Sequence, residues 1–304
     1  MRWLVVGLLL FAQPVCAADL LLSTSPTAPR PGERVTVSAK IPGDSSSTLF
    51  SWIQDGIEIA RGYGQTSVEI TMPALGKEVE IAVTANGEEL VSPLVLRPQR
   101  VTIEWEGFST RPLMYDGRPI FTAQGEVRFQ AIAELITPRG ERIIPDDIKY
   151  TWSVDGGTRK ESGYGRTTIT VRPPFYNRPF TVSLRAETRS GLIARDEVTV
   201  QAKLPSVAIY ELSPLRGVLT QRAITANTTL SQSEVTFVAY TVGSPREREY
   251  QWTLNNEPVV VAGDDPRIVT FRKTGAGVGI YQVGFNAKSG APFDTFSSSF
   301  LLNF

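Results

Sequence analysis

Tryptophan recurs in this chain at positions 52, 152 and 252, each time inside the same short string. The copies read Phe50-Ser51-Trp52-Ile53-Gln54-Asp55-Gly56, Tyr150-Thr151-Trp152-Ser153-Val154-Asp155-Gly156 and Tyr250-Gln251-Trp252-Thr253-Leu254-Asn255-Asn256. A spacing equal to the length of one small domain implies a single domain built three times. Period-2 alternation puts the leading aromatic and the tryptophan on the same face of a strand, and Asp-Gly or Asn-Asn supplies the positive φ of a tight hairpin. That combination is the central core strand of an immunoglobulin-type sandwich, so Trp52, Trp152 and Trp252 are expected to be structural core.

The remaining strands can be followed through each copy. Glu33 to Ala39, Glu126 to Ala131 and Glu234 to Ala239 alternate polar and apolar residues and end on a small alanine. Gly62-Tyr63-Gly64 and Gly163-Tyr164-Gly165 punctuate the chain beyond the tryptophan; Gly263-Asp264-Asp265-Pro266 stands there in the third copy. A strand closed by Pro73 or Pro173 follows, since proline cannot donate to a ladder. Next comes an alternating strand: Val79, Ile81, Val83, Ala85; then Phe180, Val182, Leu184, Ala186; then Tyr281, Val283, Phe285, Ala287. Glycine turns at Gly87, Gly191 and Gly290 lead into a last strand. With no helical periodicity, the pattern predicts an all-β chain of three tandem immunoglobulin-like (PKD-like) β-sandwich domains, at residues 19–100, 101–203 and 204–304. The junctions Arg97-Pro98-Gln99 and Lys203-Leu204-Pro205 are short and proline-stiffened, which limits swing between domains.

The first residues read as a targeting signal. Met1-Arg2, the apolar run Trp3 to Phe11 and the small residues of Cys16-Ala17-Ala18 fit a secretory signal peptide over residues 1–18. Gln13-Pro14-Val15 before Cys16 lacks the pattern of a lipidated cysteine. The expected location is therefore the periplasm, or the extracellular space or cell surface. Cys16 is the only cysteine, so no disulfide holds the exported domains and each depends on its core. Basic and acidic residues balance at 31 each, and loss of Arg2 with the leader leaves one net negative charge. A chain so balanced has no positive field for nucleic acid, and no stretch after the leader reaches the length of an integral membrane span.

The inventory of reactive side chains is short. There is no histidine, which removes Ser-His-Asp and Cys-His nucleophile systems and the usual zinc and copper ligand sets. No catalytic residue, metal or cofactor is expected. Gly275-Ala276-Gly277-Val278-Gly279 lies between two strands rather than before a helix, and reads as a hairpin instead of a nucleotide loop. The pairs Asp146-Asp147 and Asp264-Asp265 have neither the cross-cleft spacing of a glycosidase nor the spaced pattern of a calcium loop, and read as solvated. Arg246-Glu247-Arg248-Glu249 reads as a solvated strand entrance whose parity requires the third tryptophan strand to begin later or bulge.

Candidate contact residues sit where the repeat is punctuated or broken. Tyr63 and Tyr164 lie between glycines; Tyr115 and Tyr210 lie in the least repetitive segments, Arg111 to Ile120 and Tyr210 to Val218. Exposed tyrosines on loops of a rigid scaffold are common partner contacts. Trp105, early in the second copy, is placed by position at the first interdomain joint.

Ser162-Gly163-Tyr164-Gly165-Arg166-Thr167-Thr168-Ile169, Tyr150-Thr151-Trp152 and Ile209 to Val218 resemble segments of exported multi-Ig-like/PKD-like repeat proteins of candidate-phylum bacteria. The resemblance covers the chain beyond the leader, implies the fold and export, and transfers no catalytic residue. The third copy departs from it at Asn255-Asn256 and Gly263-Asp264-Asp265. The function expected is a non-enzymatic envelope or cell-surface protein acting as structural or adhesive module, with another surface protein or a glycan as partner. A carbohydrate-binding module is the alternative, and a carboxylate-based hydrolase a third.

Overall fold

A computed structural model describes residues 21–303 apart from 42–44, 90–91, 112, 118–119, 124, 174–177, 230–232, 244–246, 276–277 and 290–294. The leader expected over residues 1–18, Arg246, Gly290 and the centre of the Gly275 to Gly279 stretch lie outside the described residues. Among those described, the only helical element is a single 3-10 turn, Pro145–Asp147.

The first repeat contains β1 (Leu21–Ser25), β2 (Arg34–Lys40), β3 (Leu49–Gln54), β4 (Ile57–Tyr63), β5 (Ser67–Thr71), β6 (Val79–Ala85), β7 (Glu88–Glu89) and β8 (Leu94–Leu96). One sheet runs β1-β2-β5 and the other β4-β3-β6-β7, with β8 also on β6. Strands far apart in sequence are neighbours in each sheet, which is the connectivity of an immunoglobulin-like sandwich. Val35 and Val37 of β2 and Ile70 of β5 form one buried cluster with Phe50, Trp52, Ile81 and Val83 of the other sheet. Full burial of each such side chain stabilises by roughly 1.5–3 kcal/mol.

The second repeat contains β9 (Arg100–Gly107), β10 (Val127–Glu134), β11 (Ile148–Val154), β12 (Gly157–Thr158), β13 (Gly163–Tyr164), β14 (Thr168–Val171), β15 (Phe180–Thr188) and β16 (Ile193–Val200). Its sheets run β14-β10-β9 and β12-β11-β15-β16, with β13 also on β11. The third contains β17 (Ser206–Ser213), β18 (Gly217–Val218), β19 (Asn227–Thr229), β20 (Glu234–Val242), β21 (Glu249–Leu254), β22 (Glu257–Val259), β23 (Ile268–Arg272), β24 (Ile280–Lys288) and β25 (Thr295–Asn303). Its sheets run β18-β17-β20-β23 and β19-β25-β24-β21-β22. The strand order of the first repeat thus recurs twice, which makes the chain all-β with tandem immunoglobulin-like sandwiches. In the third copy β19 adds in parallel to β25 and covers its edge.

All three tryptophans are fully enclosed. Each indole N–H donates to a backbone carbonyl beyond the hairpin: Gln65 O at 2.8 Å, Arg166 O at 2.8 Å and Pro266 O at 3.2 Å. The hairpin residues take positive φ in pairs: Asp55 and Gly56 at 49° and 82°, Asp155 and Gly156 at 46° and 80°, Asn255 and Asn256 at 50° and 69°. These are the paired left-handed conformations of a type I′ turn, whose twist matches that of the strands it joins. The first turn residue has a second task. Oδ1 of Asp55, Asp155 and Asn255 accepts the backbone N–H of Glu80, Thr181 and Gln282, each at 2.9 Å, and so ties the turn to β6, β15 or β24.

The chain divides into two compact units: Met1–Arg100 with Ala133–Ile144 and Glu187–Ala194, and Val101–Ile132 with Pro145–Ala186 and Arg195–Phe304. Inside the first, the buried Gln99 carboxamide clamps the backbone of Ile136, accepting from its N–H at 2.7 Å and donating to its carbonyl at 3.3 Å. Arg100 bonds the Glu134 carboxylate beside it and holds that carboxyl below its ordinary value. Inside the second, Thr110 docks on the end of β20. Its N–H donates to Gly243 O at 2.8 Å, its hydroxyl donates to Thr241 O at 2.7 Å, and the hydroxyl oxygen accepts from Gly243 N at 2.9 Å. Gly243 has no room for a side chain, because a Cβ there would lie 2.5 Å from the Phe296 ring.

Candidate interaction surface

The sheet that carries each tryptophan buries one face and presents the other outward. In the first repeat β4 forms the rim of that sheet, pairing with β3 alone among the described residues. Its register slips between Trp52 and Ile53, so that Trp52 faces Ala60 while Ile53 faces Glu58, leaving Ile59 as the extra residue of a bulge. Ile57 is 70% exposed, Ile59 40% and Tyr63 73%. The polar groups between them are mutually satisfied: Ser51 Oγ donates to Glu58 at 2.5 Å, and Arg61 lies 3.9 Å from the same carboxylate.

Tyr164 is 47% exposed and pairs with Lys149 across β13 and β11. The glycines around both tyrosines have structural reasons. Gly64 (φ 68°) and Gly165 (φ 69°) occupy left-handed backbone, and their N–H groups donate to Thr48 O at 2.9 Å and Ile148 O at 3.1 Å. A Cβ on Gly165 would approach Asp146 Oδ1 to 2.9 Å. This turn delivers the carbonyl that receives the indole N–H, so the glycine spacing belongs to the core as much as to the surface.

Two of the sequence-derived tyrosines are placed otherwise. Tyr210 is 8% exposed, lies inside β17 rather than in a loop, and meets Tyr240 edge to face at 5.9 Å. The apparent loop is a strand that turns at residues 214–216 and returns as β18, so the Tyr210 ring is withheld from a partner. Tyr115 is half-buried, its ring folded over Gly117 with Oη 2.4 Å from where a Cβ would stand. Trp105, expected at the first joint, meets Phe121 edge to face at 5.6 Å. Phe121 in turn meets Phe180, so this tryptophan extends the aromatic core of the second repeat.

The charged motifs are also occupied. β21 begins at Glu249, which resolves the parity of the preceding residues; Arg248 is no solvated entrance but lies over the Phe296 ring at 4.7 Å. Asp265 accepts from Arg267 through both carboxylate oxygens, at 2.9 and 2.6 Å, and also accepts the Arg267 backbone N–H at 3.0 Å. Those side-chain bonds hold the Asp265 carboxyl below its ordinary value. A lowered folded value means that the pair stabilises fully above the unfolded aspartate value, near 3.9, and that this is lost as pH falls through the lower folded value. The pair is partly solvated, so Asp265→Asn is expected to lower stability by about 1 kcal/mol or less near pH 7. In thermal melts the two chains should converge once the pH is below the folded value. Asp146 and Asp147 lie exposed in the 3-10 turn, and no group of three acidic, histidine or cysteine side chains fit to hold a metal occurs among the described residues.

No protein-family model and no curated protein sequence matches the chain. Among solved structures, it is similar to the central fibronectin-III array of RIM-binding protein at 11% identity, covering 94% of this chain and 96% of that one, with a TM-score of 0.31. It is similar to a structure from a 1.5-MDa bacterial ice-binding adhesin at 11% identity, covering 94% and 96%, with a TM-score of 0.27. A third likeness is to Sidekick-1 immunoglobulin domains 1–4, at 13% identity, covering 92% and 74%, with a TM-score of 0.23. At these scores the superpositions are loose, and the assignment to the immunoglobulin-like class rests on the strand order described above.

Proposed function

We propose that the chain is an exported, non-enzymatic module of the envelope or cell surface that binds another surface protein along β4. The supporting observation is the rim strand of the first repeat, which offers Ile57, Ile59 and Tyr63 to solvent beside a backbone edge that no strand of the described residues pairs. Such an edge is a template for pairing with an added strand, and alternate side chains then supply specificity. Asp265, of the Asp264-Asp265 pair, is engaged by Arg267.

Retention of envelope proteins on the immobilised chain, compared with Ile57→Lys and Tyr63→Ala, tests this reading. The wild type is expected to hold at least one protein that both variants release, with amides of β4 slowed in hydrogen exchange by that protein. Equal retention by all three chains, or protection confined to another strand, overturns it. Both side chains are largely exposed, so either substitution should change stability by only about 0.5 kcal/mol.

A further inference from the structure

The outward face of the third tryptophan sheet differs in kind from its counterparts. Gln251, Asn286 and Ser297 stand opposite one another across β21, β24 and β25, and Thr253, Gly284 and Ser299 form the next cross-strand row. These two rows carry no formal charge in a chain that is 20% charged. Glu249 and Lys288, directly opposite each other, close the face at one end. Among the described residues, no side-chain hydrogen bond engages Gln251, Asn286, Ser297 or Ser299, although all four project from paired strands. The second repeat satisfies itself instead: Thr181 and Thr199 share a hydrogen bond at 3.1 Å, and Ser183 donates to Glu197 at 3.0 Å. In the first repeat Glu58 engages Ser51 and Arg61.

Gly284 sets the shape of this face. A Cβ there would come within 2.4 Å of Thr253 Oγ1, and in its absence a shallow groove of about 230 Å³ opens between Asn256, Gln282 and the serines of β25. Rows of strands lie about 4.8 Å apart, so the free amides and hydroxyls form a fixed two-dimensional array.

We infer that this face binds a neutral polysaccharide laid across β21, β24 and β25. Charge complementarity selects the occupant. A polyanion or polycation meets no opposite charge in either row. An apolar segment would bury the amides and hydroxyls without partners, which opposes its binding. Sugar rings bring the required match, a dense set of uncharged hydroxyls that both donate and accept. The inference rests on the non-enzymatic reading above but not on the β4 surface, which lies in the first repeat.

Electrophoresis of the full mature chain through gels containing dextran, hydroxyethylcellulose or galactomannan tests it, with alginate as the anionic comparison. At least one neutral polymer is expected to retard the chain and alginate to leave it unretarded. The double substitution Gln251→Ala with Asn286→Ala should weaken retardation about tenfold, the effect of losing about 1.4 kcal/mol of hydrogen bonding. Ser299→Glu, at an exposed position, should do the same at an unchanged melting temperature. Ile57→Lys should keep the full retardation, so that failure of the β4 reading and failure of this one are separable. Absence of retardation in all three neutral gels, equal retardation of the variants, or preference for alginate overturns the inference.

Discussion

Trp152→Ala is expected to destabilise the second repeat by about 3–5 kcal/mol, a large share of the roughly 5–15 kcal/mol that holds a domain. The side chain is fully buried, as are Tyr150 of its own strand and Phe129 of β10, and the cavity left by an indole cannot close without moving strands. Its N–H matters separately. Trp152→Phe keeps most of the apolar volume but leaves the Arg166 carbonyl without its 2.8 Å partner, for an expected loss of about 1–3 kcal/mol beyond the packing change. Denaturant unfolding followed by near-ultraviolet circular dichroism checks both. A Trp152→Ala chain that melts with the wild type would mean that the ring contributes no packing.

Gly107→Ala should have the second-largest effect, about 3 kcal/mol, although it adds one methyl group. That Cβ would lie 2.5 Å from the Ile120 carbonyl oxygen and 2.7 Å from its carbon. Backbone cannot swing aside as a lysine tip can, so β9 or the segment at Ile120 and Phe121 must move, and overpacking of this kind costs about 1–3 kcal/mol or more. Gly275→Ala is the matched comparison, since nothing lies within 4 Å of its Cβ. It should remain within about 0.5 kcal/mol of the wild type in the same denaturant titration.

The fold class was legible because it depends on period-2 alternation and hairpin residues, both local properties of the string. The role of Asp55, Asp155 and Asn255 was only half legible. Positive φ follows from residue type, but their side-chain acceptors serve N–H groups 25 to 27 residues downstream, which local pattern cannot show. Tyr210 misled for a related reason. Pro214 and Gly217 suggested an irregular segment, whereas the residues before them pair with β20 throughout, from Ser206 opposite Val242 to Glu211 opposite Phe237. Arg248 looked solvated because a charge run in sequence gives no sign of the Phe296 ring that pairing brings beneath it. The face around Gly284 carried no motif at all. Its rows, Gln251-Asn286-Ser297 and Thr253-Gly284-Ser299, are brought together by strand pairing, which local pattern does not show.

Thr110 belongs by sequence to the second repeat, while its partners Thr241 and Gly243 belong to the third. A gene fragment that begins at the third sandwich would bare two carbonyls and an amide that this threonine now occupies. The third sandwich is therefore not a portion that evolution or an engineer could transplant intact without the segment that carries Thr110.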